Sequence, residues 1–174
     1  ILSNGAIPTF LIILTIFLYD NSSWNSKILL NGDINIIGLC FIGSIVVTTA
    51  DTFSTEIGLI NKSKPRLITN LNRYVSKGDS GGITLAGLFA SVFAGIIISL
   101  TIFFIFNIFN FLFFLIIILV GILGSIFDSV LGATIQYKGQ CTSCKRHVET
   151  YLHHNKTTIK LQGSKYITNN SVNF

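Results

Sequence analysis

The sequence predicts an all-α protein, a polytopic bundle of transmembrane helices with at least four spans and a short cytoplasmic Cys/His tail. Three observations predict it. The 174 residues are 50% hydrophobic and only 11% charged, against about 25% charged in ordinary soluble domains, and the mean hydropathy is +0.68. A chain this small and apolar cannot bury its surface in one soluble core, so a bilayer must take up part of it. Four apolar runs follow one another between polar stretches, and the charges are concentrated in the stretch from Ala50 to Gly82 and in the residues after Gln136.

The first run, Ile1 to Tyr19, carries Pro8 near its start, where the first turn of a helix tolerates proline. Asp20 to Asp33 is a polar loop whose Trp24 suits a membrane interface. The second run, Ile34 to Ala50, leads directly into Asp51. The third, Ile83 to Phe106, has no charge, and only Asn107 to Asn110 separates it from the fourth, Phe111 to Gln136. These last two form a helical hairpin in the membrane. The expected organisation is a bundle over residues 1–136 with a polar loop at 51–82, then a cytoplasmic tail over 137–174 with a zinc knuckle at 141–154. The chain has no methionine and begins inside an apolar run, so it reads as a piece of a longer protein.

Charge sets the expected topology. Lys62, Lys64, Arg66, Arg73 and Lys77 lie in the loop after the second run. Lys138, Lys145, Arg146, Lys156, Lys160 and Lys165 follow the fourth, and only Lys27 lies on the other side. Positive residues beside spans favour the cytoplasmic face, which places loop and tail together there or in an equivalent compartment. The expected localisation is a membrane, with the lipid bilayer as partner and no nucleic acid.

Polar residues inside the spans are the first functional signal. If the second helix continues past Ala50, Ser44, Thr48, Asp51, Thr55 and Gly58 share one stripe, with Thr52 and Glu56 beside it. Gly121, Ser125, Asp128, Gly132 and Gln136 share a face of the fourth span, with Asp128 about 26 Å along it, level with Asp51. Thr84, Gly87, Ser91 and Gly95 line one side of the third, and small residues so spaced let helices approach closely. Ionisable residues at membrane depth mark function, though Asp51 and Asp128 could also simply cap helix ends or pair with Lys and Arg at the interface.

The loop carries phosphate-type chemistry. Arg66 offers a fork of donors suited to phosphate. Gly81 and Gly82 allow backbone N–H groups to approach an anion, beside the start of the third span. Asp51, Glu56, Asp79 and Asp128 are carboxylates of the kind that hold Mg²⁺ together with substrate phosphates, a combination that suits phosphoryl transfer. No Walker A loop is present. In the tail, Cys141, Cys144, His153 and His154 supply four ligands within fourteen residues, enough for tetrahedral Zn²⁺, with His147 as a substitute. Cys40, inside the second span, reads as a packed or lipid-facing residue.

Six ordered blocks resemble one known family: Asn4-Gly5-Ala6, ADTFSTEIG at 50–58, KPRLIT at 64–69, GDSGG at 78–82, GSIFDSVLGATIQY at 124–137 and NNSVN at 169–173. Together they closely resemble the transmembrane protein 19 family, part of a wider phytyl-phosphate-kinase-like group of integral membrane proteins. The resemblance implies further spans beyond this region and, among relatives, phosphorylation of an isoprenoid monophosphate to the diphosphate. It also implies a distant similarity to polytopic phytol and dolichol kinases and to CTP-using cytidylyltransferases. Two departures from the family pattern stand out: His154 where relatives carry Cys, and Gly78-Asp79-Ser80 where the loop often reads Gly-Thr-Asn/Asp.

The expected function is therefore a nucleotide- and Mg²⁺-dependent kinase of polyprenyl monophosphates. Asp51, Glu56 and Asp128 would be catalytic, Lys64, Arg66, Gly81 and Gly82 would bind phosphate, and isoprenoid phosphate and nucleotide would be the substrates. The alternative is a non-catalytic membrane protein, a transporter or scaffold.

Overall fold

The computed structural model describes residues 8–11, 13, 36–106 and 111–167. Three long helices dominate it: α1 (Ile36–Ile60), α2 (Leu85–Phe106) and α3 (Phe111–Thr134). Each contains an apolar stretch of 23, 21 and 24 residues respectively, long enough to cross a membrane. At 1.5 Å per residue these measure roughly 32–36 Å, against a hydrocarbon core of about 30 Å. Of the first expected span, Pro8 to Leu11 and Ile13 are helical; its remainder, the following polar loop and Asn107–Asn110 lie outside the described residues. The described chain therefore holds three candidate spans rather than four.

Helix α1 runs ten residues beyond the point where apolarity ends. Thr48, Thr49 and Thr52 each donate their hydroxyl to the carbonyl four residues back, at 2.7, 2.7 and 2.8 Å. Their polar atoms are thus satisfied within the helix, as a bilayer requires. Nothing in DTFSTEIGLI breaks a helix, so α1 carries Asp51 and Glu56 with it, and the polar loop expected from residue 51 opens only near Asn61. Pro65, four residues on, cannot continue a helix.

The described residues fall into two compact units. The first comprises the chain up to Asn61 with Leu85–Ser125. Val46, Ile102, Phe113 and Ile117 form its buried cluster, with Leu39, Ile42 and Ile98 packed on it. Small residues set the helix spacing. Ser91 and Ala94 are fully buried, Gly95 faces Ile118, and Gly121 faces Val46 and Ala50. Phe89, Phe93, Phe104, Phe111 and Leu112 are exposed, which suits contact with lipid tails.

The second unit comprises Lys62–Thr84 and the chain from Ile126 onward, and it corrects the all-α expectation. Strands β1 (Arg66–Leu67), β2 (Asn70–Tyr74) and β3 (Gly82–Ile83) form an antiparallel sheet in the order β2-β1-β3. Strands β4 (Lys138–Gln140), β5 (His147–Val148) and β8 (Ile159–Gln162) form another, in the order β5-β4-β8. Between them in sequence, β6 (Leu152–His153) and β7 (Lys156–Thr157) make a hairpin. Strands this short carry no readable alternation, and all five residues of β2 are exposed, so periodicity could not announce them.

The tail closes onto the end of α3. The Gln162 amide donates to the carbonyls of Ala133 and Thr134, and Ser164 N–H donates to Ile135. Carbonyls that a helix C-terminus leaves unpaired are thereby satisfied. Tyr137, only 1% exposed, shares a 2.8 Å hydrogen bond between its hydroxyl and that of Thr158. On the loop side Gly81 has φ +79°, and a Cβ there would fall 2.5 Å from the Cβ of Ala133. Only glycine combines that backbone with so close an approach.

Candidate functional site: a cationic cleft and a Cys/His cluster

The loop between α1 and α2 is organised by a turn. Gly78 adopts φ +86°, Asp79 N–H donates to Ser76 O at 3.1 Å, and the Asp79 carboxylate accepts the Ser76 N–H at 2.9 Å. The loop is tied to the tail through Glu149. That carboxylate accepts from the Ser80 N–H at 3.3 Å and from the Ser80 hydroxyl, and from the Gln136 side-chain amide at 2.9 Å. Lys138 closes the junction by donating its ammonium to Ser80 O at 2.6 Å. Loop and tail, expected on one face from charge, fold together as one unit.

Between them lies a cleft of about 1280 Å³. Its charged lining is Lys62, Lys64, Arg73, Lys77 and Lys138, with Asp79 and Glu149. The Lys138 ammonium is pushed below the usual lysine range, first by burial. Asp79 and Glu149 oppose that shift, and Arg73 adds to it. A site with five cations and two carboxylates can neutralise a multiply charged anion and still present hard oxygen donors to a cation bound with it.

The expected phosphate ligands divide here. Lys64 lines the cleft, whereas Arg66, Gly81 and Gly82 do not. Arg66 sits in β1 and turns onto the hairpin. Its guanidinium lies 5.2 Å from the centre of the Tyr74 ring and donates to the Tyr74 hydroxyl at 3.2 Å and to Leu71 O at 3.4 Å. Gly81 and Gly82 make the close turn into β3, and α2 begins only at Leu85. Arg73, Lys138 and Glu149, to which motif reading assigned no role, line the cleft. The sequence held one signal for Glu149: it is the only carboxylate after Asp128 in a strongly basic tail.

The expected catalytic carboxylates divide as well. Asp51 and Glu56 belong to α1 in the first unit and Asp128 to the second. Asp51 accepts from the Ser125 hydroxyl at 3.3 Å, which joins two residues singled out from polar stripes on different helices. Glu56 is exposed. Within the second unit, the carboxylates suited to Mg²⁺ in the cleft are those of Asp79 and Glu149.

Among the described residues, the metal-ligating side chains that gather are Cys141, Cys144 and His153, with ligand atoms within 4.8 Å of one another. The Cys144 Sγ to His153 Nδ1 distance is 3.8 Å. The Cys144 N–H points at Cys141 Sγ at 3.5 Å. That contact first, and the His153 ring next, draw the Cys141 thiol down to about 6, while burial opposes them. His154, expected as the fourth ligand, instead forms the turn of the β6–β7 hairpin with Asn155, at φ 54° and 57°. Its ring meets that of His153 edge-on, centroids 4.1 Å apart. Type I′ hairpin turns need two such left-handed residues, and the gathered ligand set does not include His154.

Three membrane-length apolar helices with a polar unit built from their connections define an integral membrane protein. The chain belongs to the family described as Integral membrane protein DUF92, whose sequence profile matches residues 1–174. It is 34% identical over 187 residues to Protein PGR of Arabidopsis thaliana, covering 100% of this chain and 62% of that protein. It is 36% identical over 139 residues to an uncharacterized membrane protein of Methanocaldococcus jannaschii, covering 80% of this chain and 51% of that one. The chain thus spans between half and two thirds of the length of these relatives. No solved structure matches it.

Proposed function

We propose that this protein is a kinase of polyprenyl monophosphates of the transmembrane protein 19 type, with the cleft of the second unit as its phosphate site. The observation that carries the reading is the convergence of Lys62, Lys64, Arg73, Lys77 and Lys138 around one cleft bordered by Asp79 and Glu149. The resemblance of the loop and span motifs to the wider phytyl-phosphate-kinase-like group supports it. In the reaction a terminal phosphoryl group moves from a nucleoside triphosphate to an oxygen of the lipid monophosphate, giving a lipid diphosphate and a nucleoside diphosphate. Phosphoryl transfer needs positioning and charge stabilisation more than covalent participation. The lysines and Arg73 would hold and neutralise the phosphates, and Lys138, anchored on Ser80 O, would hold a fixed place among them. Asp79, with Glu149, would hold Mg²⁺, which supplies charge neutralisation between phosphates when bound. The isoprenoid chain would lie in the bilayer.

The test uses the full-length protein in lipid nanodiscs with Mg²⁺, CTP or ATP, and phytyl or geranylgeranyl phosphate. Diphosphate product is expected. No product together with no binding of either substrate sinks the proposal.

The hydrogen bond between Ser125 and Asp51 favours a second reading, a non-catalytic transporter, because ionisable residues in spans also mark ion paths. Asp51→Asn and Arg73→Ala together separate the two. Loss of ion flux in Asp51→Asn with nucleotide binding intact supports transport, and loss of nucleotide binding in Arg73→Ala, which lines the cleft, supports the kinase.

A further inference from the structure

The tail from Tyr137 to Ile167 has little to hold it together by burial. Its buried side chains are Tyr137, Cys141 and Thr158, while Leu152, Ile159 and Leu161 are exposed. Segments of fewer than about 40 residues usually need a metal, a disulfide or a partner to fold firmly. The tail nevertheless holds a defined sheet and a hairpin, and Cys141, Cys144 and His153 meet where the two come together.

The local geometry at these residues is that of a metal knuckle. Cys141 directly follows β4, and its carbonyl accepts the Lys145 N–H at 2.9 Å. Lys145 takes φ 55°, and the preceding Cys144 N–H faces the Cys141 sulfur. The turn therefore aims both sulfurs to one side. The β6–β7 hairpin brings His153 Nδ1 to that side, 3.8 Å from Cys144 Sγ. Tetrahedral zinc with Zn–S near 2.3 Å and Zn–N near 2.0–2.1 Å sets its sulfur and nitrogen ligands roughly 3.6 Å apart. The sulfur–nitrogen pair thus lies at nearly the separation a shared zinc ion imposes.

We propose that Cys141, Cys144 and His153 bind one Zn²⁺ that staples the β4–β5 knuckle to the β6–β7 hairpin, with the fourth position left to an exchangeable ligand. Two thiolates balance the charge of the ion, and the neutral imidazole binds through Nδ1. His154 is left out of the set, since the ligand atoms that gather are those of Cys141, Cys144 and His153.

The experiment uses the full chain purified in detergent. Elemental analysis is expected to find about one zinc per chain. Exchange for Co²⁺ is expected to give thiolate-to-cobalt charge-transfer bands and intense tetrahedral d–d bands. Cys144→Ser and His153→Gln are expected to lose the metal through gel filtration. Cys144 is exposed, so its loss removes a ligand without opening a core. His154→Gln and His147→Gln are expected to keep it. Chelation of the wild-type protein is expected to make residues 137–167 protease-sensitive while the helical signal persists. Absence of zinc with no charge-transfer band on cobalt addition overturns the site. Loss of metal in His154→Gln overturns the three-ligand assignment. An unchanged protease pattern after chelation overturns the stapling role.

Discussion

The Gln136 amide, two residues past the third helix, donates to the Glu149 carboxylate across 2.9 Å, and Gln136 is only 1% exposed. The same carboxylate accepts from Ser80 in the loop between α1 and α2. One side chain thus joins a helix end, a loop and the tail. Glu149→Ala leaves a buried amide donor and the Ser80 N–H without that acceptor. Leaving such groups unsatisfied costs about 1–3 kcal/mol. The expected outcome is faster hydrogen exchange at residues 76–82 and 137–150, measured by mass spectrometry, with helices α1 and α2 unchanged.

If the cleft is the phosphate site proposed above, Lys138 is expected to make anion binding there sensitive to alkaline pH. Its ordinary value is 10.5 and burial lowers it. The protonated form attracts the anion, so affinity is present below the lowered value and is lost as pH rises through it. Stability moves the other way. Between the lowered folded value and 10.5 the unfolded chain binds more protons, so folding gains from this group as pH rises. Pyrophosphate binding by calorimetry is expected to weaken before the usual lysine range is reached. Lys138→Met should bind more weakly at neutral pH and lose that early step.

Arg66 and Arg73 are expected to differ. Arg66 is committed to Tyr74 and Leu71 O, whereas Arg73 lines the cleft. Arg73→Ala should weaken pyrophosphate binding several-fold with a shallower salt dependence. Arg66→Ala should leave it close to wild type. An equal loss in both variants would return Arg66 to the site.

Gly124 lets α3 approach α1. A Cβ there would lie 2.5 Å from a Val47 methyl. Gly124→Leu is expected to destabilise the membrane unit by about 1–3 kcal/mol, the usual cost of overpacking. Thermal unfolding in detergent, followed by circular dichroism, should show the lowered midpoint.

Much of this was legible in sequence. The stripe of Ser44, Thr48, Asp51, Thr55 and Gly58 shares one continuous helix, and Gly121 and Ser125, read as one face of α3, do meet α1. Charge placed loop and tail on one side, and they fold into one unit through contacts of Glu149 and Lys138 that charge counting did not announce. What misled was the end of the second apolar run, because hydropathy ends at Ala50 while the helix ends at Ile60. Helix continuation depends on backbone hydrogen bonding and the absence of breakers, not on greasiness.

By itself the sequence determined the membrane class, the three described spans and the family motifs, because hydropathy and span length are sums over neighbouring residues. Only the tertiary structure decided that the connections fold into small sheets, that Arg73, Lys138 and Glu149 line the cleft while Arg66 and the glycines do not, and that His153 meets the cysteines without His154. Those outcomes rest on contacts such as Ser80 to Glu149, 69 residues apart, and on a hairpin that brings one of two adjacent histidines into the cysteine cluster. Local composition carries no record of either.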